Sequence, residues 1–130
     1  MIVLDENIPE DQCQLLRRWR IRFRQVGRSV GRKGMKDQEH ILPLLHELNR
    51  PTFFTRDLGF FDEDNRHSHY AIVCLAVSQK EVALYVRRFL RHPSFDTNAK
   101  RIGAVVYAMQ DGMRAWLPDE NDEVHIEWID

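Results

Sequence analysis

The chain has 130 residues and a mass of 15.5 kDa, room for one hydrophobic core but not for two. With 43% hydrophobic and 30% charged residues it reads as neither a disordered nor a fibrous sequence. Nineteen Lys and Arg against 20 Asp and Glu leave a formal charge of -1, which excludes a uniformly basic nucleic-acid binder but hides a segregation of charge along the chain.

Met1-Ile-Val-Leu is apolar and stops abruptly at Asp5-Glu6-Asn7, the pattern of a buried parallel strand that delivers polar groups at its carboxyl end. Pro9 suits a first helical turn, and Cys13, Leu15, Leu16 and Trp19 recur at helical spacing, which predicts a helix over 9–19. Arg20 to Val26 alternates basic and apolar residues and predicts a half-exposed strand, with Ile21, Phe23 and Gln25 on one side and Arg22, Arg24 and Val26 on the other. Gly27, Gly31 and Gly34 punctuate a basic loop that fits neither phosphate-binding glycine pattern. Asp37 stands where an N-cap belongs. Ile41, Leu42, Leu44, Leu45 and Leu48 then give a second helix its apolar face, with Pro43 near its first turn or kinking it.

Thr52-Phe-Phe-Thr predicts a second short strand, with Arg56-Asp57 just past its end. Ala71 to Val77 predicts a third. It is the longest apolar run, far short of the roughly 20 residues of a membrane helix, and Asp5 and Glu6 interrupt the stretch a secretory signal would keep apolar. A cytoplasmic protein with no membrane partner is the expectation. A helix follows over 79–91, and Ile102 to Met109 and Met113 to Leu117 flank the hairpin-turn signal Gln110-Asp111-Gly112. Val124, Ile126 and Trp128 alternate with polar residues as a last edge strand. Cys13 and Cys74 lie in apolar contexts that suit buried thiols better than a disulfide. Strands alternating with helices predict a single α/β domain over 1–130 with a mostly parallel sheet.

Three acids fall at element boundaries: Asp5, Asp37 and Asp57. Strand ends and a helix start can converge on one edge of a parallel sheet, where clustered carboxylates repel unless they share protons or bind a cation. Hard oxygen ligands suit Mg²⁺ or Mn²⁺, which take phosphate oxygens as remaining ligands and support phosphodiester hydrolysis. Singly, each acid is equally explained as a cap or a loop residue, and Thr55 and Asn7 as turn residues. His67-Ser68-His69 reads as exposed loop histidine, and His92 as a helix end.

Met1-Ile-Val-Leu-Asp-Glu-Asn-Ile-Pro, Asp37-Gln-Glu-His-Ile-Leu and Phe54-Thr-Arg-Asp resemble the PIN-like domains of the DUF5615 family, related to the VapC-type toxin nucleases and the Mut7-C domain. The resemblance covers residues 1–77 and is loose beyond them. It implies a three-layer α/β/α sandwich, here followed by a C-terminal β-hairpin, and an acidic pocket for Mg²⁺ or Mn²⁺. It also implies endoribonuclease activity on single-stranded RNA and frequently a toxin–antitoxin role with an antitoxin protein as partner; a homodimer is a separate expectation that the resemblance does not supply. Asp5, Asp37 and Asp57 match the acidic positions, with Glu6 and Glu39 as neighbours. Family members commonly carry a further acid two or three residues after Thr-Arg-Asp, whereas Leu58-Gly59-Phe60-Phe61 intervenes here, so either Asp62 is the fourth carboxylate or the site has three.

Between Arg17 and Lys36 every charged residue is basic, and acids crowd the stretch from Asp119 to Asp130. Arg22, Arg24, Arg28, Arg32 and Lys33, with Arg56, are the candidate contacts to an RNA backbone. Arg87, Arg88, Arg91, Lys100 and Arg101 form a second basic group that extends them. Two alternatives from other classes stand beside the nuclease: a degenerate PIN-like module that binds RNA or a protein without cleavage, and a hydrolase of small phosphate esters.

Overall fold

Apolar runs this short bury both faces only as adjacent parallel strands covered by helices, and the chain does this. A computed structural model describes residues 1–129; Asp130, the last acid of the C-terminal run, lies outside the described residues. The strands are β1 (Ile2–Leu4), β2 (Arg24–Gln25), β3 (Thr52–Thr55), β4 (Ala71–Leu75), β5 (Val105–Met109), β6 (Gly112–Trp116) and β7 (Val124–Ile126). The helices are α1 (Glu10–Arg18), α2 (Gln38–Glu47), α3 (Val82–Arg91) and α4 (Asn98–Arg101). One seven-stranded sheet runs in the order β2-β1-β3-β4-β5-β6-β7. It is parallel from β2 to β5 and antiparallel from β5 to β7. None of the described helices is long and apolar enough to cross a membrane.

Side chains alternate between two cores because the strand period is two. Leu4, Phe54, Val73 and Val106 join Leu16 of α1 and Val86 and Phe89 of α3. Val3, Phe53, Ile72 and Val105 join Ile41 and Leu45 of α2. Aromatic pairs key each side: Phe54 meets Phe89 edge-on at 5.6 Å between centroids, and Phe53 meets Phe60 at 5.5 Å. Both cysteines are buried and free. Pro43 sits inside α2, where its missing N–H leaves out one helical bond without ending the helix.

Three segments depart from the expectation. The strand expected over 20–26 shrinks to Arg24–Gln25, because Arg20 turns back with φ 61° and β1 offers only Val3 and Leu4 as partners. Gln25 and Val26 are both buried, so the alternation fails there. Residues between β3 and β4, given no element from sequence, form two 3-10 turns, Leu58–Phe60 and Glu63–Asn65, each capped by an aspartate. Arg101, assigned to a second basic surface, is 8% exposed: Nε donates to Thr52 Oγ1 at 3.1 Å and Nη1 to the Phe95 carbonyl at 2.9 Å.

Phe54 is fully buried at the centre of the larger core, and Phe54→Ala is expected to cost about 3–5 kcal/mol, read from the urea unfolding midpoint.

Candidate functional site

From β1 the chain first adds β2 on one side and then crosses to add β3 on the other. The crossovers diverge there and leave a crevice outside the carboxyl ends of β1 and β3, the position at which open α/β sheets bind ligands. Asp5 follows β1 and Asp57 follows β3, so both carboxylates reach this crevice. They line a cavity of about 250 Å³ together with Asn7, Ile8 and Arg56.

Thr55 joins the two acids. Its hydroxyl donates to Asp5 Oδ2 at 2.6 Å, and its Oγ1 accepts from the Asp57 N–H at 2.9 Å. Asp5 Oδ1 accepts from the Glu6 N–H at 2.8 Å, and the Asp5 N–H continues the ladder to the Phe54 carbonyl at 2.9 Å. Asp57 Oδ1 caps the following 3-10 turn through the Gly59 N–H at 2.9 Å. Arg56 Nε donates to the Val77 carbonyl at 3.2 Å, which ties the guanidinium to the end of β4. Gln25 holds the loop after β1 from the other side: its Nε2 lies 3.2, 3.3 and 3.2 Å from the carbonyls of Asp5, Glu6 and Ile8.

The other candidate acids are placed differently. Asp37 occupies the N-cap position of α2, is exposed, makes no side-chain cap bond and does not line the pocket. Gln38 beside it donates from Nε2 to the Gly59 carbonyl at 2.9 Å, so the start of α2 is tied to the turn that carries Asp57. Glu39 is exposed on α2. Glu6 turns toward the glycine loop, where Oε2 accepts from the Gly34 N–H at 2.8 Å. Asp62 caps the second 3-10 turn through the Asp64 N–H at 2.9 Å. Among the described residues no group of three or more His, Cys, Asp or Glu converges to hold a metal ion.

What does converge is two carboxylates and an amide around one small cavity. Burial pushes the Asp5 carboxyl above the usual carboxylate range, and the charges of Asp57 and Glu6 push it the same way, against the bonds from Thr55 and the Glu6 N–H. The Cys74 thiol beneath is pushed up to about 12 by burial and by the charge of Asp57, so it is inert. A divalent cation would relieve the repulsion, and two carboxylates with waters form a donor set that Mg²⁺ or Mn²⁺ accepts. The oxygen chemistry of Asp5 and Asp57 is of the kind such an ion accepts.

Basic candidates divide among four places. Arg22, Arg24 and Arg28 line an open groove of about 650 Å³ along β2, with Arg17 and Arg20 beside them. Glu10 neutralises part of it, pairing with Arg17 at 2.9 Å and Arg28 at 3.4 Å. Arg32 belongs to a smaller cavity against Met35 and Leu44, Lys33 is exposed in the glycine loop, and Arg56 borders the carboxylates. Trp19 and Phe23 pack against the core and carry the guanidinium groups of Arg87 and Arg17 over their rings. His67 and His69 are met by His46 from α2, with the His46 and His67 ring centroids 4.3 Å apart. His69 Nε2 is hydrogen bonded to the Leu48 carbonyl at 2.6 Å, and His67 Nδ1 accepts from the His69 N–H at 3.1 Å.

No protein-family model, curated protein or solved structure matches the chain.

Sequence reading treated Thr55 as a turn residue and gave Gln25 no role, yet these two side chains hold the pocket. A threonine between a strand and an Arg-Asp pair was the available signal for the first; nothing local marks the second. Because the folded-state pKa of Asp5 is raised, the native state binds more protons than the unfolded chain from the ordinary carboxylate value up to that raised value. The Asp5 contribution to stability is therefore present at low pH and is lost as pH rises through this window. Denaturant unfolding in EDTA is expected to show Asp5→Asn gaining stability relative to the parent chain as the pH rises above the ordinary carboxylate value; a difference that does not vary with pH removes the assignment.

Proposed function

We propose that the chain is a divalent-metal-dependent endoribonuclease acting on single-stranded RNA, built as a PIN-like three-layer α/β/α sandwich with a C-terminal β-hairpin. The observation that carries this reading is the pair Asp5 and Asp57, joined through Thr55, at the reversal of strand order. The similarity of the opening strand and of Thr-Arg-Asp to PIN-like domains supports it, and so does the basic groove along β2.

A bound Mg²⁺ or Mn²⁺ would supply the polarisation of the scissile phosphate and the acidification of water that hydrolysis needs. Asp5 and Asp57 would hold it, and Thr55 ties the two residues together by bonding to the side chain of one and the backbone of the other. Asn7 and Arg56 line the same cavity and orient the phosphate, Arg56 with guanidinium geometry suited to paired phosphate oxygens. Asp37, the third acid by resemblance, stands at the start of α2, which Gln38 ties to the turn after Asp57. Arg22, Arg24 and Arg28 track the RNA backbone outside the pocket. The resemblance extends the proposal to the toxin of a type II pair, controlled by an antitoxin protein; the proposal also places the chain in the cytoplasm as a homodimer.

A second reading, a non-catalytic RNA-binding or protein-binding module, is favoured by one observation: Asp37, Glu6 and Asp62 do not line the pocket. Calorimetry separates the two, since RNA binding without Mn²⁺ binding supports the module.

With Mn²⁺ and single-stranded RNA the purified chain is expected to cleave, and Asp5→Asn and Asp57→Asn are each expected to lower the rate more than about 100-fold, beyond the usual effect of outer-shell changes at a metal site. Cleavage that survives in both variants refutes the assignment. For RNA binding, the Arg22→Ala/Arg24→Ala double variant is expected to reduce the steepness of the log–log salt dependence by about 1.4, at about 0.7 per phosphate contact on a single strand.

A further inference from the structure

Arg56 borders two cavities. One is the carboxylate pocket; the other is a cleft of about 770 Å³ across the carboxyl ends of β4 and β5. Ala76 and Val77 lie where β4 ends, and Leu58, Tyr107 and Met109 supply apolar surface. Leu58 is 40% exposed, one of four large hydrophobic side chains left facing water. Glu81 and Asp111 add carboxylates, and among the described residues neither side chain forms a hydrogen bond or an ion pair. The bond from Arg56 Nε to the Val77 carbonyl holds the guanidinium at the boundary, with its two Nη atoms making no hydrogen bond within the described residues.

This is the composition of a site for one nucleotide. Its volume lies within the usual range for small-ligand pockets, and its wall mixes apolar surface with the polar groups of Arg56, Ser78, Glu81, Gln110 and Asp111. Arg56 offers a cation for a phosphate, and Glu81 and Asp111 offer carboxylates, which when ionised only accept hydrogen bonds. Ionised carboxylates recognise N–H donors and repel carbonyl oxygens facing them. The N4 amino group of cytosine meets that requirement, whereas uracil presents O4 at the same place.

We infer that the cleft is a nucleotide subsite for the residue next to the scissile phosphate, selective for a base with an exocyclic amino group, with Glu81 and Asp111 as the specificity-determining residues and Arg56 as the phosphate contact. The assignment of the neighbouring phosphate as scissile rests on the nuclease reading; nucleotide binding in the cleft does not. Selectivity arises from two effects of the same groups, attraction for the amino donor and rejection of the carbonyl.

The test titrates the full chain, in EDTA, with cytidine and uridine monophosphates and follows backbone amide resonances. Cytidine monophosphate is expected to shift the amides of Ser78, Gln110 and Gly112, and uridine monophosphate is expected to bind about tenfold more weakly, within the range of base discrimination by paired hydrogen bonds. Glu81→Gln/Asp111→Asn is expected to remove the discrimination while leaving the fold intact. Asp111 sits in the two-residue β5–β6 turn without a left-handed φ, a place that Asn accepts as Asp does, and Glu81 makes no side-chain cap bond to lose. Equal affinity for the two nucleotides, or shifts confined to the groove along β2, overturns the inference. Cytidine monophosphate binding in the cleft of a chain that does not cut RNA upholds the subsite and removes the nuclease reading. RNA cleavage with no shift in the cleft does the reverse.

Discussion

The pairing of β1 with β3 is the constraint on which the rest of the molecule depends. It is short, Ile2 to Leu4 against Thr52 to Phe54, and the Asp5 N–H extends it by one bond to the Phe54 carbonyl. That bond brings an acid to the end of the ladder, where Thr55 meets it with a hydroxyl. A buried carboxylate is costly without partners, and the hydroxyl with the Glu6 N–H provides them. The same threonine takes the Asp57 N–H, so the turn after β3 is set by the group that satisfies the acid after β1. Both crossovers leave from this point in opposite directions, which is why the crevice opens here and not elsewhere along the edge.

Charge follows the sheet. The β2 edge and its flanking loop carry Arg20, Arg22, Arg24 and Arg28, while the β7 edge is preceded by Asp119, Glu120 and Asp122. A net charge of -1 is thus the sum of two unlike edges on opposite sides of one sheet. Both edge strands are very short, two residues in β2 and three in β7, and like charge along each discourages edge-to-edge pairing of identical edges. On the acidic side Glu123 is taken by Arg114 of β6, and Trp128 leaves the sheet to donate from Nε1 to the Met109 carbonyl at 2.7 Å. The final segment is therefore packed against the domain, with Tyr85 and His92 of the α3 region around the Trp128 ring.

The strongest local signals carried through. Ile2–Leu4, Thr52–Thr55 and Ala71–Leu75 are strands because a few consecutive apolar, β-branched or aromatic residues bounded by polar ones fit only a strand buried on both faces. α1 and α3 follow their helical periodicity closely, and Asp-Gly marks the turn between β5 and β6. Where the reading failed, the missing information was not local. The alternation of Arg20 to Val26 was real for Arg22 and Arg24, which are exposed, yet the strand could extend no further than β1 allowed. Arg101 looks like its basic neighbours in sequence, but α4 turns it under the sheet, where Thr52 and Phe95 accept its protons.

Sequence by itself determined the order of the strands and of the three longer helices, the parallel character of most of the sheet, the burial of both cysteines and the placement of Asp5 and Asp57 just past strand ends. These depend on residues within one or two turns of each other, where hydrophobic period and turn chemistry act directly. Only the tertiary structure decided which acids share a cavity. Asp37, Glu6 and Asp62 are acids at loops and caps like the other two, but each is directed by a partner or position remote from the pocket lining: Glu6 by Gly34, Asp62 by its own turn, Asp37 by the start of α2. Thr55 and Gln25 acquired their roles in the same way, through bonds spanning 50 and 20 residues of sequence that exist only once β1 lies between β2 and β3.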